Sequence, residues 1–202
     1  MMDSLFTTRI VFYRARPGQD AINILDELDA LRATPEPTDE QSERLATLGA
    51  EQIMVSEYKF TVGSISVLAG NRRSANLRTA RAWIEENCGV SITDHLNVAE
   101  EDRPDDWYST LQFMNAASSW ATIIVSIRSI EQRQVDIIGD TKSAWEPTPM
   151  PEAWATVGGF LDSIDPELLL ALTTKISELN PGTLLLGGDD TNRKKFGVVN
   201  GH

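Results

Sequence analysis

Cysteine and histidine are nearly absent from this chain, and their scarcity limits its chemistry. Cys88 is the only cysteine among 202 residues, which excludes an internal disulfide and fits a reducing compartment. It follows two glutamates and an asparagine, where negative charge favours the thiol over the reactive thiolate. The histidines are His95 and the terminal His202. We therefore expect an inert Cys88 and a solvent-facing or capping His95.

Positive charge is also scarce, since 18 lysines and arginines stand against 30 acidic residues and give a net charge of -12. This balance argues against DNA or RNA as a partner, because binding to phosphate backbones needs a basic stripe. Between Gly18 and Glu57, ten acids are accompanied only by Arg32 and Arg44. That segment either faces water or meets a basic partner.

Long apolar runs are absent as well. No stretch of 18 apolar residues occurs, and the longest candidate, 116–130, contains four serines and Arg128. The first residues, Met1-Met2-Asp3, lack the basic start of a secretion signal. We expect a cytosolic protein without a membrane partner.

Motifs that carry catalysis are missing too. Gly187-Gly188 is not followed by the Lys-Ser/Thr of a phosphate loop, and no Gly-x-Ser-x-Gly occurs. Asp102 and Asp106 belong to an acidic group that we interpret as the start of a helix. The alternative is an enzyme that uses this group, and its activity would depend on a metal ion and be lost on changing Asp102 or Asp106. The sequence predicts no catalytic residue, no metal ligand and no cofactor, and therefore no enzyme.

The first hundred residues combine short strand and helix patterns. Four arginines, Arg72, Arg73, Arg78 and Arg81, are expected to pair with two acidic helices there. The predicted elements are a strand at 5–13, helices at 20–32 and 38–48, a strand pair or one strand broken at Gly63 over 52–69, a basic turn at 71–73 and a helix at 74–87.

The rest of the chain is predicted to be mainly helical. The predicted elements are a polar connector at 94–103, the longest helix at 104–130, a short strand at 135–138, an extended proline-rich connector at 146–150, a helix from Pro151, and a helix capped by Asp165 that ends at Asn180-Pro181-Gly182. The fold class is therefore α+β: a small N-terminal antiparallel sheet with helices over 1–100, a helical module over 101–182, and a flexible tail over 183–202.

Large aromatic side chains cluster beside the proline-rich connector. Trp145, Trp154 and Phe160 either pack in the core or form a surface that binds a partner. Together with Leu169, they are the predicted partner-binding residues.

The C-terminal half resembles a known family. An Ala- and Ile-rich helix with aromatics, then Gly139-Asp140, Trp145-Glu146-Pro147, the segment 154–160 and a helix ending in Leu179-Asn180-Pro181 resemble the tail assembly chaperones of long-tailed bacteriophages over about residues 103–182. The resemblance implies a non-enzymatic protein of the host cytoplasm that coats the tape measure protein, recruits tail tube subunits and is absent from the finished virion. It leaves a homo-oligomer open.

The resemblance also implies a longer product made by ribosomal frameshifting, near Lys194-Lys195-Phe196. In mechanism, such a chaperone covers apolar stripes of its partner while its acidic residues keep the complex soluble. The alternative is a structural virion component, either a tail completion or a baseplate protein.

Overall fold

The computed structural model describes residues 8–180, and it shows the predicted α+β class. Within that range, five strands form one antiparallel sheet. The strands are β1 (Arg9–Arg14), β2 (Met54–Val62), β3 (Ile127–Asp136), β4 (Thr141–Lys142) and β5 (Glu146–Thr148). Their order is β1-β2-β3-β4, and β5 pairs with a different part of β3 than β4 does.

The helices follow from local signals that the sequence shows clearly. Thr38 forms the predicted capping box with Gln41, and the Asp165 side chain accepts hydrogen bonds from the N–H groups of Glu167 and Leu168. The α-helices are α1 (Gln19–Arg32), α2 (Asp39–Gly49), α3 (Val67–Cys88), α4 (Ile92–Leu96), α5 (Trp107–Ser126), α6 (Val157–Ser163) and α7 (Pro166–Leu179).

The chain divides into two compact units. Among the described residues, the first contains 8–11, 61–128 and 150–180, and the second contains 12–60 and 129–149. This division differs from the predicted boundary near residue 100. The reason is that the sheet is not N-terminal only, because β3, β4 and β5 come from residues 127–148. The predicted flexible tail, 183–202, lies outside the described residues.

In the first unit, α5 packs against α3, α6 and α7. The buried side chains of this core include Ala80 and Ile84 from α3, Met114, Ala117 and Ala121 from α5, Phe160 from α6, and Leu168, Leu172 and Ile176 from α7. Their three- and four-residue spacing is what makes each helix present one apolar stripe to its neighbours.

In the second unit, α1 and α2 pack together as the predicted acidic hairpin. Leu28 and Leu48 are fully buried, and the sheet residues Val55 and Val135 keep only a few per cent of their surface exposed. The Arg44 guanidinium donates to both carboxylate oxygens of Glu27, at 2.8 and 2.9 Å, and so ties the two helices together.

Helix α3 begins earlier than the sequence predicted. The Ser66 hydroxyl accepts the Ala69 N–H and caps a helix from Val67, so 67–69 is not strand and 71–73 is not a turn. The end at Gly89 is as predicted, with φ at 71°. At 22 residues, α3 and not α5 is the longest helix in the described part of the chain.

Helix α5 ends at Ser126 rather than near residue 130. Ile127 is extended, and β3 runs for ten residues where a strand of four was predicted. The Gly63 N–H donates to the Ser126 carbonyl at 2.9 Å, so the backbone leaves the helix directly into the sheet. Pairing with β2 decides the conformation here, because the local sequence favours either element.

The predicted helix from Pro151 is divided. A 3-10 turn covers Glu152–Ala155, and α6 starts after Thr156, whose hydroxyl accepts the Gly159 N–H. A Cβ at Gly159 would lie 2.4 Å from the Ala153 carbonyl oxygen, so only glycine fits this junction. Asn180 caps α7 as predicted.

Candidate functional site

Two of the predicted partner-binding residues lie in the core. Trp154 is 3% exposed and Phe160 is 0% exposed, and their rings meet edge to face at 5.3 Å between centroids. The Trp120 indole N–H also donates to the Trp154 carbonyl oxygen at 2.8 Å. The expectation that Trp154 and Phe160 contact a partner is therefore wrong for the folded chain, and the core alternative holds for both.

The other two predicted residues are half-buried and belong to different units. Leu169 lies on α7 in the first unit, whereas Trp145 lies between β4 and β5 in the second. A partner-binding role stays a prediction for these two side chains. Of the two, Trp145 is the one that contacts charged and aromatic side chains in the described structure.

Trp145 contacts two cationic side chains of the sheet. β5 pairs with β3 so that Glu146 lies opposite Gln132, which brings the preceding Trp145 beside Arg133. The Arg133 guanidinium carbon lies 4.4 Å from a ring centroid of Trp145, and the Lys59 ammonium lies 4.9 Å away. Two cations at this range hold the indole against the sheet through its negative face.

Phe12 completes this arrangement and was not identified from the sequence. Its side chain on β1 is 67% exposed, and its ring centroid lies 6.2 Å from that of Trp145 with the planes inclined at 47°. An aromatic ring this exposed is unusual, because burial of a phenylalanine side chain is worth about 1.5 to 3 kcal/mol. We name Phe12 and Trp145 the aromatic pair.

Ion pairs link the three strands beneath the aromatic pair. Arg14 of β1 and Arg133 of β3 donate to opposite carboxylate oxygens of Glu57 on β2, with Nε···Oε distances of 2.9 and 2.7 Å. The Lys59 ammonium lies 2.6 Å from the Glu131 carboxylate. We name these five residues the charged ladder, and with three cations and two carboxylates it is a locally basic patch on an acidic chain.

The charged ladder orients side chains and is not suited to proton transfer. The hydrogen bond from Arg14, followed by those from Arg133, lowers the pKa of Glu57 below its ordinary value of 4.5, although partial burial opposes the shift. Glu57 therefore stays ionised near neutral pH and cannot act as a general acid there. Its role in the structure is to fix Arg133, which in turn contacts Trp145.

The prediction for His95 needs correction. The side chain is buried in α4, where its ring stacks on Trp107 at 5.2 Å and its Nε2 lies 2.9 Å from the Trp107 carbonyl oxygen. The Trp107 indole N–H donates to the His95 carbonyl oxygen in return, also at 2.9 Å. These reciprocal bonds join α4 to α5, and they explain the histidine structurally. The polar connector at 94–103 thus contains part of a helix.

Cys88 is half-buried at the end of α3, and burial raises the pKa of its thiol. Residues 8–180 contain no cluster of three or more histidine, cysteine or acidic side chains placed to hold a metal ion. Over the same range, no helix combines the length and apolarity needed to span a membrane. Between α1 and α2 lies an open groove of about 550 Å³, lined in part by Glu27, Glu40 and Glu43.

Three of the four α3 arginines lack the ion pairs with acidic helices that the sequence predicted. Arg73 donates from Nε to the Thr122 hydroxyl of α5 at 2.9 Å. Arg72, Arg78 and Arg81 form no ion pair with any residue of the described range.

Comparison of the chain with protein-family models, with curated proteins and with solved structures gave no match.

Proposed function

We propose that this protein is a non-enzymatic tail assembly chaperone that binds the tape measure protein and tail tube subunits in the host cytoplasm. The resemblance over residues 103–182 supports the family. The observation that carries the binding function is the aromatic pair, in which a 67% exposed Phe12 ring lies beside a Trp145 held by two cations.

The arrangement suits protein binding for an energetic reason. Trp145 is already fixed by Arg133 and Lys59, so a partner that packs on the aromatic pair loses little side-chain entropy from this chain. The exposed face of Phe12 offers apolar area, and the charged ladder beside it offers groups for the polar rim of an interface. An apolar stripe of a helical tape measure segment would cover the Phe12 ring, while the net charge of -12 keeps the complex soluble.

The proposal is tested with Phe12→Ala in a co-expression pull-down with tape measure fragments. Removal of an exposed aromatic anchor should weaken binding by about tenfold or more, because anchors of this kind contribute at least about 1.4 kcal/mol. Leu170→Ala is the matched control, since Leu170 is also 67% exposed but lies on α7 in the other unit. Equal binding by wild type and Phe12→Ala would contradict the proposed site.

A second measurement separates the chaperone from a structural role. A chaperone acts before the tail is complete, so mass spectrometry of purified particles should lack its peptides. Stoichiometric recovery of the protein from particles would instead identify a tail completion or baseplate component.

A further inference from the structure

The charged ladder leaves one positive charge unbalanced beside the aromatic pair. Each carboxylate oxygen of Glu57 accepts from one guanidinium, Oε1 from Arg14 and Oε2 from Arg133. Because Glu57 carries a single negative charge, it balances only one of these two arginines. The other ion pair of the ladder, Lys59 with Glu131, is balanced in itself. The aromatic pair therefore lies next to a surplus positive charge, on a chain whose net charge is -12.

Arg14 is the arginine of the ladder that a partner can reach. Its side chain is 50% exposed, compared with 23% for Arg133, which also lies against Trp145. Nε and Nη2 of Arg14 both donate to Glu57, whereas Nη1 donates to no residue of the described range. The Nη1 group can therefore donate to a second carboxylate, and a hydrogen bond between two charged groups is among the stronger ones.

Acidic side chains of the same unit do not occupy this position. Glu146 lies opposite Gln132 in the pairing of β5 with β3, and the Gln132 amide donates to the Ser56 hydroxyl at 3.2 Å. Ser56 and Glu57 are consecutive in β2 and point to opposite faces of the sheet, which places Glu146 on the face away from the charged ladder. The ion pairs of α1 and α2 in the described range join residues within that helix pair.

We propose that the surface formed by Phe12 and Arg14 binds a helix on which an apolar residue and an acidic residue lie four positions apart. The inference rests on the proposed function and names the chemistry of the partner segment. Phe12 and Arg14 are two residues apart in β1, so their side chains leave the same face about 7 Å apart. Residues four apart on a helix share one face and lie about 6 Å apart along its axis. The apolar side chain covers the Phe12 ring, and the carboxylate accepts from Arg14.

Charge complementarity selects an acidic flank over a basic one. β1 contains an arginine at each end and no acidic residue. The net charge of -12 repels an acidic helix from most of the surface, whereas the ladder attracts it to the aromatic pair. A helix with lysine in place of the acid would be repelled at Arg14 and attracted to the acidic α1–α2 hairpin instead. The two fields together determine where the partner helix binds.

An NMR titration of the isotope-labelled full chain with helical peptides tests this inference, because it measures weak affinities and locates the contact. The probe is an alanine-based helical peptide with one leucine and one glutamate four positions apart. The comparison peptide has lysine in place of that glutamate. The glutamate peptide should shift the β1 amide signals and bind about fivefold more tightly or better, since attraction replaces repulsion at Arg14.

Three variants assign the preference to Arg14. Arg14→Gln should abolish the difference between the two peptides, and Arg14→Lys should retain most of it because the positive charge remains. Arg32→Gln is the matched control, since it changes the net charge equally and Arg32 is 55% exposed but lies on α1. It should leave the preference unchanged. Circular dichroism checks that each variant is folded.

The outcomes separate this inference from the proposed function. Equal binding of the two peptides, tighter binding of the lysine peptide, or no shift at β1 with either peptide would overturn the inference. A glutamate preference that persists in Arg14→Gln would overturn it as well. The pull-down with Phe12→Ala tests the proposed function separately. A glutamate preference at β1 together with a pull-down that does not depend on Phe12 would support the chemistry of this surface and contradict the tape measure protein as its partner.

Discussion

Replacement of Trp154 by alanine should destabilise the protein strongly, because the ring is 3% exposed and packs edge to face on Phe160. Burial of a tryptophan removes about 150 to 250 Å² from water, which corresponds to roughly 4 to 6 kcal/mol at about 25 cal/mol per Å². Partial collapse of the cavity brings the expected loss to about 3 to 5 kcal/mol. For a chain of this size, that loss lowers the melting temperature by roughly 6 to 20 °C.

The assay is thermal unfolding followed by circular dichroism, with Trp145→Ala as the matched control. Trp145 is half-buried and contacts two cations, so its removal should cost only about 1 to 2 kcal/mol. We therefore expect Trp154→Ala to lower the melting temperature more than Trp145→Ala does. A Trp154→Ala variant that melts within about 2 °C of wild type would refute the assignment of this ring to the core.

Two further perturbations have defined outcomes. Because the folded-state pKa of Glu57 is lowered, its ion pairs stabilise the fold above the unfolded-state pKa, and this stabilisation is lost as pH falls below 4.5 through the folded-state pKa. Glu57→Gln should therefore lower the unfolding free energy by about 1 to 2 kcal/mol at pH 7. It should also make the unfolding free energy fall less steeply as the solution is acidified, which urea titrations at several pH values would show. The same fall with pH as in the wild type would reject the role of Glu57. Asn180→Ala removes the amide that accepts the Ile65 N–H at 2.7 Å and donates to the Ile176 carbonyl at 2.9 Å. The same titration should show an unfolding free energy lower by about 1 to 3 kcal/mol. A decrease below about 0.5 kcal/mol would mean that the Ile65 and Ile176 groups find other partners.

Elements that depend on neighbouring residues could be predicted from the sequence. The capping box at Thr38, the Asp165 cap and the left-handed Gly89 each involve atoms within a few residues, and all three appear where the sequence placed them. The start of α3 was missed because Val67-Leu68-Ala69 has the apolar character of a strand. Only the Ser66 cap, a single hydroxyl, marks that boundary.

Elements that depend on distant pairing could not be predicted in this way. At the start of β3, Ile127 and Ile130 continue the three- and four-residue apolar spacing of α5, and the pairing partner β2 is more than sixty residues away. The same holds for the aromatic pair and the charged ladder. Trp145 was recognised as an aromatic beside a proline-rich segment, but Phe12 and Glu57 acquire their roles only through strand register, which no local pattern specifies.

The central claim is that the aromatic pair contacts the tape measure protein, and site-specific photo-crosslinking tests it most directly. A photoreactive phenylalanine derivative, p-benzoylphenylalanine, would replace Phe12 in one form of the protein and the equally exposed Leu170 in another, each produced in infected cells. The account predicts a crosslink to the tape measure protein from position 12 and none from position 170. Crosslinks from position 170 alone, or from neither position while the complex is still recovered, would contradict it.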